Sequence, residues 1–256
     1  MTVTKAMERF GQAVVVLGAF VTWEFAARAG LVDAALFSFP TAVLVRTVED
    51  LLGGGLLVHV AITLSETVSG FFAGAVAGIA CALLFVRFTL LRLTLMPFLS
   101  AFYAIPRPAL APLFVLWFGV GFASKLVLVV TLVYFVFLLH VIAGVQGIDR
   151  GHVNWVRTLG ASRAQVLRTV GIPHLLPWLF ASTKLGLALA LIGAIVGEII
   201  SSRAGLGFIM MHAAHTLDTD GVMSGIFVLS LIVVAIVLPL GALERRLFRW
   251  HVESRV

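Results

Sequence analysis

The stretch Val156–Trp178, VRTLGASRAQVLRTVGIPHLLPW, sets basic, capped and abruptly ended sequence between two long apolar runs. Val153, Val156 and Leu159 recur at a helical interval, and Gly160 stands where such a short helix would end in a left-handed cap. A second helix is expected to start at once. Ser162 can accept from an early amide while Gln165, three residues on, reaches back to the Ser162 amide, the reciprocal capping arrangement. Val166, Leu167 and Val170 form one apolar stripe, with Arg163, Gln165, Arg168 and Thr169 facing elsewhere. Pro173 is expected to stop this helix, because proline lacks an amide donor and crowds the turn before it. About nine residues at 1.5 Å each extend roughly 13 Å, too short to cross a bilayer. The segment therefore lies on a membrane surface as an amphipathic helix or docks into a partner protein.

Its surroundings show why a bilayer enters the reading. Of 256 residues, 61% are hydrophobic and only 12% are charged, whereas about a quarter of residues are charged in a soluble domain. The chain reads as an all-α integral membrane protein, with residues 1–256 forming a single transmembrane domain. The net charge of +6 is not taken as a sign of nucleic-acid binding. In a membrane chain, basic residues report orientation. The single Cys81 excludes an internal disulfide framework and a cysteine-only metal cage.

About six spans fit, at about 11–32, 64–86, 91–118, 123–145, 176–200 and 222–243. The first resembles a signal peptide in its charge-then-apolar layout, but Trp23 and Glu24 sit poorly before the Ala27-Arg28-Ala29 site, so an uncleaved span is expected. The second opens on Thr63-Leu64-Ser65-Glu66, a capping-box pattern. It continues through Gly70, Gly74 and Gly78, a ladder that leaves one helix face without side chains so that another helix can approach. The segment from Asp33 to Ile62 is too polar and too broken to span, and Pro40 can open a surface helix over Thr41 to Leu52.

With a cytoplasmic N-terminus, the inner segments carry Lys5, Arg9, Arg87, Arg92, Arg150, Arg157, Arg163, Arg168, Arg245, Arg246, Arg249 and Arg255, twelve of the 18 basic residues. The positive-inside rule then places both termini in the cytoplasm and makes about 147–175 the largest cytoplasmic loop.

At this loop the chain resembles a known family. Gly160, nine residues, then Val170-Gly171-Ile172-Pro173 is similar to the loop signature of binding-protein-dependent ABC importer permeases: Glu-Ala-Ala, three residues, Gly, nine residues, Ile-x-Leu-Pro. Arg157-Thr158-Leu159-Gly160-Ala161-Ser162 looks like the nitrate, sulfonate and taurine branch. The likeness extends to Trp23-Glu24, Ala104-Ile105-Pro106, Leu116-Trp117-Phe118-Gly119, Glu198, Gly205-Leu206-Gly207 and Leu243-Glu244-Arg245-Arg246. It implies a type I ABC importer permease fold whose coupling helices sit in a groove of a separate ATPase. It also implies two ATPase subunits that bind ATP and magnesium, an extracytoplasmic substrate-binding protein, a second permease copy and a bacterial cytoplasmic membrane. The candidate coupling residues are Asn154, Trp155, Arg157, Gly160, Ala161, Ser162, Arg163 and Pro173. One departure stands out: the family's Glu-Ala-Ala is here Asn154-Trp155-Val156.

Charged residues inside spans are candidates for function. Arg107, in Pro106-Arg107-Pro108, lies where two prolines break the third span. Its guanidinium fork suits carboxylate or sulfonate oxygens, or else it pairs with a buried glutamate. Tyr103, Pro106, Arg107 and Glu198 are the candidate translocation-pathway residues, and Glu198 is expected to pair with Arg203 or to shape an outer gate. Lys184 is read as snorkelling to the cytoplasmic interface. His212, His215, Asp218 and Asp220 do not form a convincing metal set, and the chain has neither HExxH nor GxxxxGK[ST]. A non-catalytic subunit driven by ATP in trans is expected, importing a small anionic solute. A self-contained carrier using Arg107, Glu24 and Glu198 has no need of a motor-docking loop, and scattered histidines without a ligand constellation weigh against a small membrane enzyme.

Overall fold

A computed structural model describes residues 2–248; Arg249 and Arg255, assigned above to the inner face, lie outside them. The helices are α1 (Thr2–Arg28), α2 (Ala34–Phe37), α3 (Pro40–Leu52), α4 (Gly55–Arg87), α5 (Thr89–Ala104), α6 (Ala111–Phe118), α7 (Phe122–Gln146), α8 (Arg150–Thr158), α9 (Arg163–Val166), α10 (Ile172–Ser201), α11 (Leu206–His215) and α12 (Thr219–Leu247). A 3-10 turn, Arg107–Leu110, joins α5 to α6, and a π turn, Leu167–Gly171, joins α9 to α10. No strand occurs among the described residues. Five helical segments are long and apolar enough to cross a membrane, or up to six if the α5–α6 pair counts as one span.

The glycine ladder sets the core. Gly70, Gly74 and Gly78 of α4 face Val129, Val133 and Phe137 of α7 in ascending order, so the two helices run parallel. A methyl group on Gly74 would stand 2.8 Å from Val133 Cβ and 2.9 Å from the Val130 carbonyl oxygen, so α7 could not approach as closely. Antiparallel α10 closes the trio by laying Gly186 against Phe137 and Gly197 against Lys125. Phe71, Ala75, Val129, Val133, Phe137, Ala190 and Ala194 fill the centre, with Phe71 edge-on to Phe137 at 5.7 Å. Small residues at these crossings let dispersion and backbone proximity stabilise a bundle that lacks a hydrophobic drive within lipid.

Parallel neighbours need a return path, and the expected third span supplies it in altered form. Instead of one helix over 91–118, α5 and the segment Arg107–Phe118 meet at 84°. Pro106 and Pro108 flank the break; proline disfavours helical geometry in the residue before it and donates no amide bond. Chain direction brings Arg87, Arg92, the α8–α9 loop, Arg245 and Arg246 to one end of the bundle, opposite α3 and α11.

Two further expectations change. The second span starts at Gly55, with Gly54 at φ +77 before it, so Thr63-Leu64-Ser65-Glu66 is not a cap. These residues lie two turns inside a helix whose amides already have partners, leaving Thr63 and Glu66 to bond across the bundle. Pro173 does not stop the loop's second helix either, since Arg163–Ser201 is one span of 39 residues. Proline orphans and crowds the carbonyl four residues back, here Thr169. That residue lies within the π turn, whose wider ring accommodates the misfit and lets the helix continue. The surface helix appears as α3, with Pro40 in its first turn.

Candidate functional site

The loop at the arginine end begins with a cap. Asp149 Oδ1 accepts from Gly151 N at 2.7 Å and opens α8. No residue of α8 is buried, with Trp155 at 65% exposure, and Leu159 just after it is 71% exposed. Gly160 takes φ +84, a left-handed conformation that reverses the chain at little steric expense only without a Cβ. The capping box follows: Ser162 N donates to Gln165 Oε1 at 2.7 Å, and Gln165 N donates to Ser162 Oγ at 3.3 Å. Asn154, Arg157 and Arg163 are exposed and Ala161 and Pro173 half-buried. Of the apolar stripe, Val166 is buried while Leu167 points outward. Behind α8 lies a hollow of about 720 Å³ lined by His152, Trp155, Val156, Thr169, Pro173 and Trp178. The loop is thus capped at the start of each of its helices, and the second of them runs on from Arg163 into the 39-residue span.

The broken span holds Arg107 buried while Tyr103 and Pro106 remain exposed. Arg107 Nη1 donates to the Tyr103 carbonyl at 2.9 Å and Nη2 to the Phe102 carbonyl at 3.2 Å. The guanidinium also lies 4.9 Å from the Tyr103 ring centroid and 4.4 Å from that of Phe135. It adds donors to the last carbonyls of α5, of which Phe102 also accepts from Ile105 N, and pins the kink to α7. No glutamate pairs with it among the described residues; its donors go to backbone carbonyls at the break.

Glu198 belongs to another network, at the opposite end of the core. It accepts from Thr63 Oγ1 at 2.7 Å through Oε1 and from Gly207 N at 2.7 Å through Oε2. The expected Arg203 pairing is absent: Arg203 is exposed, and Glu198 turns inward to amides freed by the bend after α10. Lys125 pairs with Glu66 and donates to Ser202 Oγ at 3.0 Å. The capping pattern around Glu66 disguises this cluster, and Lys125 sits inconspicuously at the start of a span. Both nonetheless carry a signal: an ionisable side chain within a long apolar run requires a partner on another helix.

Other candidates have local partners. Lys184 Nζ meets Glu244 Oε2 at 2.8 Å. Glu24 binds Arg28 Nε at 2.6 Å and Thr41 N at 3.1 Å. His212 stacks on Phe208, Asp218 meets Arg46 and Asp220 accepts from Ser38. Among the described residues, no group of three or more His, Cys, Asp or Glu could hold a metal ion. At the α3 end, Arg46, Asp50, His59, His212 and Asp218 line an open pocket of about 450 Å³. There the hydrogen bond to Asp50 raises the Arg46 guanidinium above its ordinary range, against partial burial and aided by Asp218, keeping it charged.

Residues 74–251 match the family described as the binding-protein-dependent transport system inner membrane component. The chain belongs to that family. This permease is a multi-pass, inner-membrane ABC importer subunit. It is 32% identical over 252 residues to the riboflavin transport system permease protein RibX of Chloroflexus aurantiacus, covering 96% of this chain and 94% of RibX. It is 33% identical over 195 residues to the taurine transport system permease protein TauC of Escherichia coli, covering 76% and 71% respectively. In fold it is similar to a chain of the MetNI methionine ABC transporter solved in inward-facing conformations, with a TM-score of 0.63 at 20% identity, covering 77% of this permease and 98% of that chain.

Proposed function

We propose that this permease forms, with a second copy of itself, the membrane path of an ATP-driven importer. In this reading α8, Gly160 and the Ser162 cap form the surface gripped by separate ATPase subunits. The observation that carries the proposal is the exposed, capped loop, with Trp155 65% exposed on α8 and its second helix running without interruption from Arg163 through α10. A displacement imposed on that loop reaches the core through a continuous helix, as coupling between a soluble motor and a membrane gate requires. Trp155 packing and the Asn154, Arg157 and Arg163 side chains replace the charge pairing of the family's absent glutamate.

ATP and magnesium belong to the two ATPases, and an extracytoplasmic binding protein delivers the solute. Gathering of the basic residues at the loop end supports a cytoplasmic placement for that end and for both termini. The solute is a small organic or inorganic anion of the sulfonate, nitrate, taurine or carboxylate type. Similarity to TauC, named for taurine, supports this class, with the exposed Tyr103 and Pro106 as pathway residues and the buried Arg107 and Glu198 holding the kink and the turn beside that path.

Co-expression with its ATPase should give an assembly whose ATP hydrolysis responds to the loaded binding protein. Gly160→Val, which forces a branched side chain into φ +84, should insert in the membrane normally yet lose that response and uptake. Normal uptake and hydrolysis in Gly160→Val would refute the coupling role. Full-rate solute accumulation by the purified polypeptide alone in liposomes would overturn the transport assignment as a whole.

A further inference from the structure

The network around Glu198 contains more negative groups than positive ones. Glu66 and Glu198 are each 1% exposed, and Lys125 is 4% exposed. Lys125 is the cation that reaches Glu66, through Oε1. Both Glu198 oxygens are occupied, by the Thr63 hydroxyl and the Gly207 amide. Glu66 Oε2 is buried with no hydrogen-bond donor from the groups around it. The Glu198 carboxyl approaches from α10: Thr63, one turn before Glu66 on α4, donates to it, and Gly197 next to it packs on Lys125, the partner of Glu66.

Two adjoining carboxylates in a medium of low polarity repel, and a buried charged oxygen without a donor is costly. A single proton between them removes both penalties. We infer that Glu66 carries a proton on Oε2 and donates it to Glu198, so that Lys125, one carboxylate and one carboxylic acid form a neutral proton-holding site inside the membrane bundle. The proton belongs to the pair.

This site fastens the turn after α10. Gly207 N binds Glu198, Leu206 N donates to Thr63 Oγ1 at 2.9 Å and Gly205 N donates to His59 Nδ1 at 2.9 Å. A Cβ on Gly205 would collide with the Glu198 carboxyl, so turn and carboxyl are fitted to each other. Lys125 and the two glutamates are the ionisable groups facing one another from α4, α7 and α10. His59 is occupied by Gly205, Arg203 and His212 are exposed, and Arg46 is engaged by Asp50 and Asp218. Losing the proton would set two like charges against each other across α4 and α10 and loosen the Gly205–Gly207 turn.

Infrared difference spectroscopy of the full-length chain in liposomes tests this without transport, so its outcome is independent of the function proposed above. Glu66 and Glu198 are the buried carboxyls among the described residues, and exposed ones are ionised at neutral pH. A carboxylic-acid C=O band at neutral pH is expected, sensitive to deuterium exchange and abolished by either Glu66→Gln or Glu198→Gln, because the remaining carboxyl then ionises beside Lys125. Absence of the band in the unsubstituted protein, or its survival in either variant, overturns the inference.

Discussion

Arg107 shows how one side chain answers to its immediate surroundings. Its position between two prolines marks it as special, yet its donors go to backbone carbonyls at the break, those of Phe102 and Tyr103. Arg107→Ala should lower stability by about 2–4 kcal/mol, because it removes the charged hydrogen bonds and the stacking on two rings together, and Arg107→Lys should recover part of it. Thermal denaturation in detergent measures this; an unchanged midpoint with impaired anion uptake would instead favour direct solute binding. Gly205 is the sharper case. At φ +117 and against Glu198, Gly205→Ala combines backbone strain with a collision, and a loss of about 2–4 kcal/mol is expected from the same measurement.

At the level of elements, the loop was largely legible. Gly160 and the Ser162–Gln165 pair are local devices whose partners lie within three residues, so spacing reveals them. Ser162→Ala should weaken the first turn of α9 by about 1 kcal/mol, visible as faster amide hydrogen exchange over residues 163–166 with α10 unaffected. Trp155→Ala should leave folding intact, because the ring is 65% exposed, while weakening ATPase association by about 2 kcal/mol if it is the central anchor. Copurification against rising salt or detergent reads that loss. What spacing could not reveal was the continuation through Pro173, because a π turn is a compromise among hydrogen bonds that no short motif announces.

Over the whole molecule, the packing of α4 on α7 governs the rest. Gly74→Leu should separate these helices and destabilise the bundle by about 3 kcal/mol or more, whereas Gly18→Leu on α1, where a Cβ meets nothing within 4 Å, should be near neutral. Thermal midpoints of the two variants, compared in one detergent, make the contrast. The apolar stretches of α1 and α12 are scarcely buried within this chain, which leaves their faces to lipid or to other subunits. The α4–α7–α10 trio is by contrast a self-contained core.

Composition, the length of the apolar runs and the loop's capping residues were enough to establish a helical membrane subunit and its family resemblance, because each of these properties acts over a few turns of one segment. They did not establish that α4 and α7 run parallel, that the third span bends by 84°, or that Glu66, Lys125 and Glu198 converge. Those features depend on which faces meet across segments far apart in the chain. In a lipid-facing bundle that choice is settled by close packing and by the need of each buried charge for a partner.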